Sequence, residues 1–494
     1  MNKRYLLALD QGTTSSRAVL FTKEGQIIAS AAYEFKQHYP QPGWVEHDPQ
    51  DILTTQIEAL RSAVRQSGID PQEIAAIGIT NQRETTLVWD RVTGQPACNA
   101  IVWQCRRTAD MVEQLKRDGC AGPIREKTGL NPDAYFSATK LRWILDHTGL
   151  QQAAEDGRYC FGTVDSWLVW HLVQGHPHVT DATNASRTML FNIRSQDWDD
   201  DLLRLFRIPR AMLPKVIDSA RMIGLMNEDI LGAQIPVAAI AGDQHAALFG
   251  QACFERGMVK NTYGTGCFML MNIGQDFRLS DHGLITTTAW RLNGQPTYAL
   301  EGSVFIGGAA IQWLRDELGL IRTAAESETL AQEIPDNGGV YLVPAFTGLG
   351  APYWDMYARG TVVGLTRGSG RRHIVRAALE SIAYQSNDLL QAMTQDNGSA
   401  PAALRVDGGA SANRFLMQFQ ADLMRLNVQR PAVLETTALG AALLAGLSVG
   451  LFDSLDETAH GWHVADTFSP LMPEALSARY LEGWKQAVGR TLSR

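Results

Sequence analysis

Between Leu7 and Phe21 the chain reads Leu-Ala-Leu-Asp-Gln-Gly-Thr-Thr-Ser-Ser-Arg-Ala-Val-Leu-Phe, and few folds accommodate that order. An apolar strand ends in Asp10, a turn at Gly12 follows, and a second apolar strand begins behind Arg17. Gly12 lets the turn tighten without a Cβ clash. Thr13, Thr14, Ser15 and Ser16 line the tip with hydroxyls and backbone N–H groups, the donors that surround a phosphate. Arg17 adds a planar fork suited to phosphate oxygens, and Asp10 is placed to hold a hydrated Mg²⁺. An ordinary hairpin with a polar turn shares the glycine and the apolar flanks. It has no need of an acid, four hydroxyls and an arginine at one tip.

The turn is neither the Gly-x-x-x-x-Gly-Lys-Ser/Thr loop nor a Gly-x-Gly-x-x-Gly that opens a helix. It joins two strands, so a phosphate would sit between strands. That arrangement is similar to the ATPase fold shared by actin, hexokinase and the sugar kinases, in which a second hairpin from a second domain faces the first. Asn261–Asn272, Asn-Thr-Tyr-Gly-Thr-Gly-Cys-Phe-Met-Leu-Met-Asn, supplies a candidate in Gly264-Thr265-Gly266. Taken alone, this is as well explained by a common turn; at a half-chain interval from the first, it gains weight. With 494 residues the chain exceeds what one core holds. The expected division is into residues 1–252 and 253–494, one phosphate turn in each.

Composition narrows the class. A net charge of −8 and the lack of a dense basic run argue against a nucleic-acid partner. Six cysteines without Cys-x-x-Cys spacing argue for reduced, cytoplasmic thiols over a disulfide framework or metal cluster. His171, His176 and His178 read as a His-rich surface loop, since no carboxylate or cysteine joins them at ligand spacing. The N-terminal apolar run is cut short by Asp10 and is not a signal peptide. Ala438–Phe452, the longest apolar stretch, is too short to cross a bilayer. Its Gly and Ala content reads as a buried, closely packed helix.

Helix-like and strand-like patterns interleave, which indicates α/β domains. Helices are expected over Gln50–Gln66, Ala109–Arg117 and from Arg371 to about Met393, with strands over Ile74–Thr80, Thr86–Trp89, Thr361–Leu365 and Leu404–Val406. Arg405-Val-Asp-Gly-Gly-Ala-Ser-Ala-Asn413 runs from a short strand through two glycines into a helix. Such an entrance lets a flat ring or a phosphate approach the backbone. A strand-to-helix loop with Ser411 as N-cap is the simpler account.

Together these elements resemble the FGGY family of carbohydrate kinases over essentially the whole chain. The carrying motifs are Leu9–Arg17, Thr80-Asn-Gln-Arg-Glu-Thr85, Tyr135-Phe-Ser-Ala-Thr-Lys-Leu-Arg-Trp143, Ala241-Gly-Asp-Gln244, Asn261–Phe268 and Asp407–Asn413. The resemblance implies two actin-like (ribonuclease H-like) α/β domains with a cleft between them. It implies ATP and Mg²⁺, glycerol as the acceptor, a homodimer or homotetramer, and a cytoplasmic location without stable membrane insertion. By motif, Thr13, Thr14, Ser15 and Arg17 match phosphate contacts, as does Thr265. Gly308 and Gln312 match further nucleotide contacts, and Gly409 and Asn413 match the adenosine site. Arg83, Glu84, Trp103, Tyr135, Asp243, Gln244 and Phe268 match the polyol contacts, with Asp243 as base and Asp10 organising Mg²⁺ through water.

The residues themselves leave more open. Arg83-Glu84 read alone is better explained as a structural ion pair on a loop. Trp103 and Phe268 would by default be core aromatics, and Asp243 after an apolar strand competes with a helix N-cap. A longer sugar such as xylulose is the other acceptor within the family, and an actin-like assembly protein or nucleotide-binding regulator is the other class. Neither the acid nor the phosphate hydroxyls that such a protein would lose are missing here. Some bacterial family members are inhibited by fructose bisphosphate at a Gly-rich basic loop before the Gly-Asp-Gln motif. In this chain Ile223–Pro236 carries Glu228 and Asp229 and no Lys or Arg, so that inhibition is expected to be absent.

Overall fold

In a computed structural model, which describes residues 3–493, the N-terminal hairpin forms as expected. β1 (Tyr5–Gln11) and β2 (Ser15–Thr22) pair antiparallel, with Asp10 opposite Arg17. β3 (Ile27–Glu34) extends this meander. Helix α1 (Pro49–Ser67) starts at Asp48, whose carboxylate accepts from the Gln50 N–H, and carries the chain to β4 (Ile74–Asn81), parallel to β1. β4 is buried along its whole length, as a central parallel strand with covered faces must be. β5 (Ala220–Leu225) and β6 (Pro236–Gly242) complete a six-stranded sheet in the order β5-β6-β4-β1-β2-β3.

The second half repeats that course. β7 (Val259–Tyr263), β8 (Cys267–Gly274) and β10 (Gln295–Val304) form the antiparallel meander, with β9 (Ile285–Leu292) added outside β10. β11 (Ala403–Asp407) and β12 (Asn427–Pro431) run parallel beyond β7, and β13 (Val464–Phe468) closes the edge antiparallel. Strand for strand, β1, β2, β3, β4, β6 and β5 correspond to β7, β8, β10, β11, β12 and β13. The two actin-like units read from the sequence are therefore present, each with the Gly-Thr turn read from the sequence between its first two strands.

Two helices fill the space between the sheets. α3 (Asp243–Gly250), which follows α2 (Ser137–Thr148) in the chain, springs directly from β6. Three further helices, α4 (Gly308–Asp316), α5 (Arg371–Asn397) and α6 (Arg414–Met424), belong to the second half. The Gly/Ala-rich stretch forms α7 (Thr436–Ser448), buried as expected. It lies on α3 and on β1, β4 and β6 of the first sheet, although it sits late in the chain. The approach is close enough to require glycine: a Cβ on Gly440 would stand 1.8 Å from the Ala246 carbonyl oxygen. One core joins Leu6 and Phe21 of the first sheet to Leu270 and Ala299 of the second through Ala246, Leu248 and Ala441. Asp243 is thereby fixed at the first turn of a helix clamped between the halves.

Smaller expectations are refined. The helix over Ala109–Arg117 keeps the bounds read from the sequence, and α5 continues past Met393 to Asn397. The strand begun at Thr361 stops at Val363 because Gly364 turns with φ 82°. The histidine trio is not simply a surface loop. His176 is exposed, but His171 and His178 are half-buried, donating to the Trp167 and Phe161 carbonyls and packing on Trp167 and Trp89. Among the described residues no cluster of His, Cys, Asp or Glu could hold a metal on its own, and no helix is long and apolar enough to cross a membrane.

Candidate active site

The first phosphate turn is closed by a hydrogen bond from the Gly12 N–H to the Ser15 carbonyl, 2.9 Å. Thr13, Thr14 and Ser15 reach the surface of the cleft; Ser16 does not. Its hydroxyl is buried against Thr55 Oγ1 at 2.9 Å, because strand alternation turns it inward with Ala18. Of the four hydroxyls expected to line the tip, three do. Arg17 is already engaged, ion-paired with Glu435 just before α7. Asp10 is half-buried at the end of β1 and accepts no hydrogen bond among the described residues. Its carboxyl is pushed up to about 7 by burial, with Arg17 opposing and the nearby Glu435 and Asp243 charges adding to the rise. An unpartnered carboxyl beside two other acids suits a cation.

The Thr80-Asn-Gln-Arg-Glu-Thr85 motif runs out of the end of β4. Gln82 is laced to the first turn through Gln11 Oε1 and the Gly12 carbonyl, both at 3.0 Å. The chain then reverses at Glu84, whose φ of 62° is left-handed for a non-glycine residue. The Thr85 N–H donates back to the Arg83 carbonyl at 2.7 Å, and Thr86 and Ser137 hydroxyls bind the Glu84 carbonyl at 3.0 Å. Such a backbone costs on the order of 1–3 kcal/mol and persists only where its surroundings hold it. Its effect is to aim the Glu84 carboxylate inward.

Arg83 and Glu84 are brought together but do not chiefly pair with each other, at 4.0 Å. Arg83 gives Nη1 and Nη2 to the two oxygens of Glu301 on β10, at 2.6 and 3.1 Å. Glu84 is held by Arg187 Nε at 2.6 Å. The expected simple ion pair is therefore corrected to a buried four-charge network. Burial opposes the charge on Glu301, but Arg187 and Arg83 more than offset it and hold its carboxyl well below the usual range. Burial pushes Glu84 upward against the pull of the same two guanidiniums. Trp103, Tyr135 and Phe268 gather over this network. Trp103 meets Tyr135 and Phe268 edge-on, with centroids at 5.6 and 6.5 Å. The indole N–H of Trp103 reaches Thr13 Oγ1 at 3.0 Å, tying the aromatic wall to the phosphate turn.

Asp243 lies where these parts meet. It is the first residue of α3, with Gly242 as the N-cap, so it is not itself the cap. Its Oδ1 accepts from the Gln244 N–H at 2.6 Å and is ion-paired with Arg83 Nε at 3.0 Å, while 31% of the side chain stays open. Arg83 can pass because residue 242 is glycine: a Cβ there would stand 2.7 Å from the Arg83 side chain. Burial pushes the Asp243 carboxyl up, opposed by Arg83, the Gln244 N–H and Lys260. Gln244 is anchored through Oε1 to Lys260 Nζ at 2.5 Å, a buried lysine that burial pushes down to about 8.

Across the cleft, the second turn rests on the N-terminus of α4. The Gly307 and Ala309 N–H groups donate to the Thr265 carbonyl at 2.8 and 3.0 Å, and Gly308 N–H to the Gly264 carbonyl at 2.9 Å. Beside it opens a cavity of about 390 Å³, into which Thr265, Gly308, Gln312, Gly409 and Asn413 all face. Ile311, Leu379, Ile382 and Leu416 give it apolar walls, the make-up of a site for a flat ring with a few polar anchors. Asn413, not Ser411, caps the following helix α6, accepting from the Leu416 N–H at 2.9 Å. A wider surface depression of about 750 Å³ near Arg142 and Arg204 lies apart from these residues. Its arginines are already paired with Asp146, Asp197, Asp200 and Asp201.

Glu301, Arg187, Lys260 and Glu435 are the residues that the sequence reading missed. Known proteins share this family and fold. The family description "FGGY family of carbohydrate kinases, N-terminal domain" matches residues 5–250, and its C-terminal counterpart matches 259–449. A protein of Thermotoga maritima named glycerol kinase 2 is 58% identical over 490 residues, 99% of each chain. A glycerol kinase of Plasmodium falciparum solved with ADP superimposes with a TM-score of 0.92 at 36% identity, covering 100% of this chain and 99% of that one. A xylulose kinase of Lactobacillus acidophilus, 23% identical over 98% of this chain and 97% of its own, shares the fold with a TM-score of 0.88. The duplicated sheets, the paired phosphate turns and these matches lead to one conclusion: the chain belongs to the FGGY family of carbohydrate kinases.

Proposed function

We propose that this chain transfers the γ-phosphoryl group of ATP to a primary hydroxyl of glycerol, giving sn-glycerol 3-phosphate and ADP. The observation that carries this reading is a cluster of charged and aromatic side chains tied to the first turn by the Trp103–Thr13 hydrogen bond. There Arg83, Glu84 and Asp243 converge beneath the rings of Trp103, Tyr135 and Phe268. A triol needs acceptors, a donor and an apolar wall for its C–H edge at close quarters, and this cluster supplies each. The 58% identity to a relative named for glycerol supports the acceptor; the xylulose kinase likeness speaks only to fold.

In this reading Glu84 accepts from acceptor hydroxyls, Arg83 donates, and Gln244 closes the polar side. Asp243 takes the proton of the attacking hydroxyl. Its carboxyl is lifted by burial, which makes it a better base than an exposed aspartate. The phosphates lie between Thr13, Thr14, Ser15 and Thr265, and Arg17 exchanges Glu435 for phosphate oxygens as they arrive. Adenosine fills the cavity at Gly308, Gln312, Gly409 and Asn413. Asp10 would hold Mg²⁺ through water, and bound there the ion neutralises charge on the transferring phosphoryl oxygens. Closure of the halves excludes water as a competing acceptor. The homodimeric or homotetrameric assembly, the cytoplasmic location and a division of the chain at residues 252 and 253 belong to the same reading. An ADP-release assay across polyols and ketoses tests it. Glycerol is expected to give the highest kcat/KM; a ketose preferred over glycerol, or no turnover with any polyol, overturns it.

A further inference from the structure

Arg83, Glu84, Arg187 and Glu301 are all at most 2% exposed. A buried set of two cations and two anions is not the most economical way to join two halves, since apolar packing of the same volume often holds as well. Its geometry suggests another use. Glu301 alone comes from the second sheet, on β10 opposite Leu270 of β8. Its Oε2 takes Arg83 Nη1 at 2.6 Å, and its Oε1 takes Arg83 Nη2 at 3.1 Å and Arg187 Nη2 at 3.0 Å. A two-point grip on a guanidinium fixes the plane of the fork as well as its position. With both Nη atoms held, the Nε edge of Arg83 faces Asp243 at 3.0 Å and Nη2 also points to the Tyr135 hydroxyl at 3.5 Å. Arg187, steadied by the same carboxylate, presents its Nε to Glu84 at 2.6 Å.

We propose that Glu301 is a positioning residue for the acceptor: reaching across from the second sheet, it fixes Arg83 directly and Glu84 through Arg187, so the acceptor is gripped only when the two halves are in register. This rests on the acceptor reading above. The polar groups that touch the acceptor belong to the first half, yet the orientation of Arg83 and Glu84 is dictated by the second. None of the four charged residues lines the 390 Å³ cavity.

The test compares the full-length wild type with Glu301→Gln and Glu301→Asp, measuring initial rates of ADP release against glycerol and against MgATP. Wild-type turnover with glycerol checks the acceptor reading on its own; without it, that reading and this inference fall together. Glu301→Gln is expected to raise the glycerol KM at least about tenfold, the scale of a lost charge-assisted hydrogen bond, with the ATP KM within about twofold. Glu301→Asp keeps the charge but withdraws the carboxylate by one methylene, and is expected to give an intermediate rise. A purely structural role would lower kcat through lost active protein and leave both KM values in place; that result overturns the proposal. If Glu301→Gln yields no folded protein, Glu301→Asp decides: a raised glycerol KM supports the proposal, and an unchanged one refutes it.

Discussion

Gly440→Ala places the smallest possible addition in the layer between the two sheets. The new Cβ would stand 1.8 Å from the Ala246 carbonyl oxygen and 2.9 Å from the Gly250 nitrogen. A Cβ atom essentially never comes closer than 3.0 Å to such an atom, so α3 and α7 must separate by roughly 1.2 Å in an interior packed as densely as a crystal. Both opposing atoms are backbone and cannot rotate away. The cost therefore falls near the upper end of the ~1–3 kcal/mol usual for overpacking. At about 2–4 °C per kcal/mol for a unit of this size, the apparent melting temperature drops by roughly 6–12 °C. The catalytic consequence is larger, because Ala246 and Asp243 share one helical turn of α3. A shift of about 1 Å at a reacting group can cost on the order of 10²-fold in rate. Steady-state kcat with glycerol and MgATP, a thermal melt and an ADP titration measure the three effects. ADP affinity is expected to hold, since the nucleotide cavity lies away from α7. A variant with wild-type kcat and melting temperature would show that the layer gives without moving Asp243, and would refute the reasoning.

Glu84→Ala is expected to raise the glycerol KM by about tenfold or more, since it leaves Arg187 Nε and the acceptor hydroxyls unpaired; the ATP KM, read in the same assay, should stay put. Fructose bisphosphate is expected not to inhibit through residues 223–236. The helical turn Glu228–Leu231 there is acidic, and the nearby Arg61 already donates to the Ile230 and Asp229 carbonyls at 3.0 and 3.3 Å. A titration against initial rate at subsaturating glycerol checks this, and strong inhibition abolished by mutation within that segment would contradict it.

What could be read from the sequence was local. The turn at Gly12–Ser15, the helix Ala109–Arg117 and the Gly/Ala run that became α7 each announce themselves within a dozen neighbours. Even the inward turn of Ser16 follows the period of two that makes Ala18 and Leu20 buried, and it was there to be found. The residues that were missed act at long range. Glu301 meets Arg83 across 218 positions and Arg187 across 114. In its own strand, between Leu300 and Gly302, it carries no sign of a partner. Lys260 sits between Val259 and Asn261 and reads as a solvent-facing lysine, yet it is fully buried against Gln244. Small residues in α7 foretold a close approach but not which sheet it would cover, because chain order places it in one half and packing places it on the other.

The most direct measurement is the glycerol-dependent rate of ADP release by Asp243→Asn beside the wild type, with ADP affinity measured in both. Asn keeps the size of the side chain and its place at the start of α3 but cannot take a proton. The expected result is a loss in kcat of about 10²–10⁴-fold, the contribution of a positioned base, with ADP affinity unchanged. A variant that turns glycerol over at close to the wild-type rate would contradict the role given to Asp243, and with it the reading of the cleft as a site for phosphoryl transfer to a polyol hydroxyl.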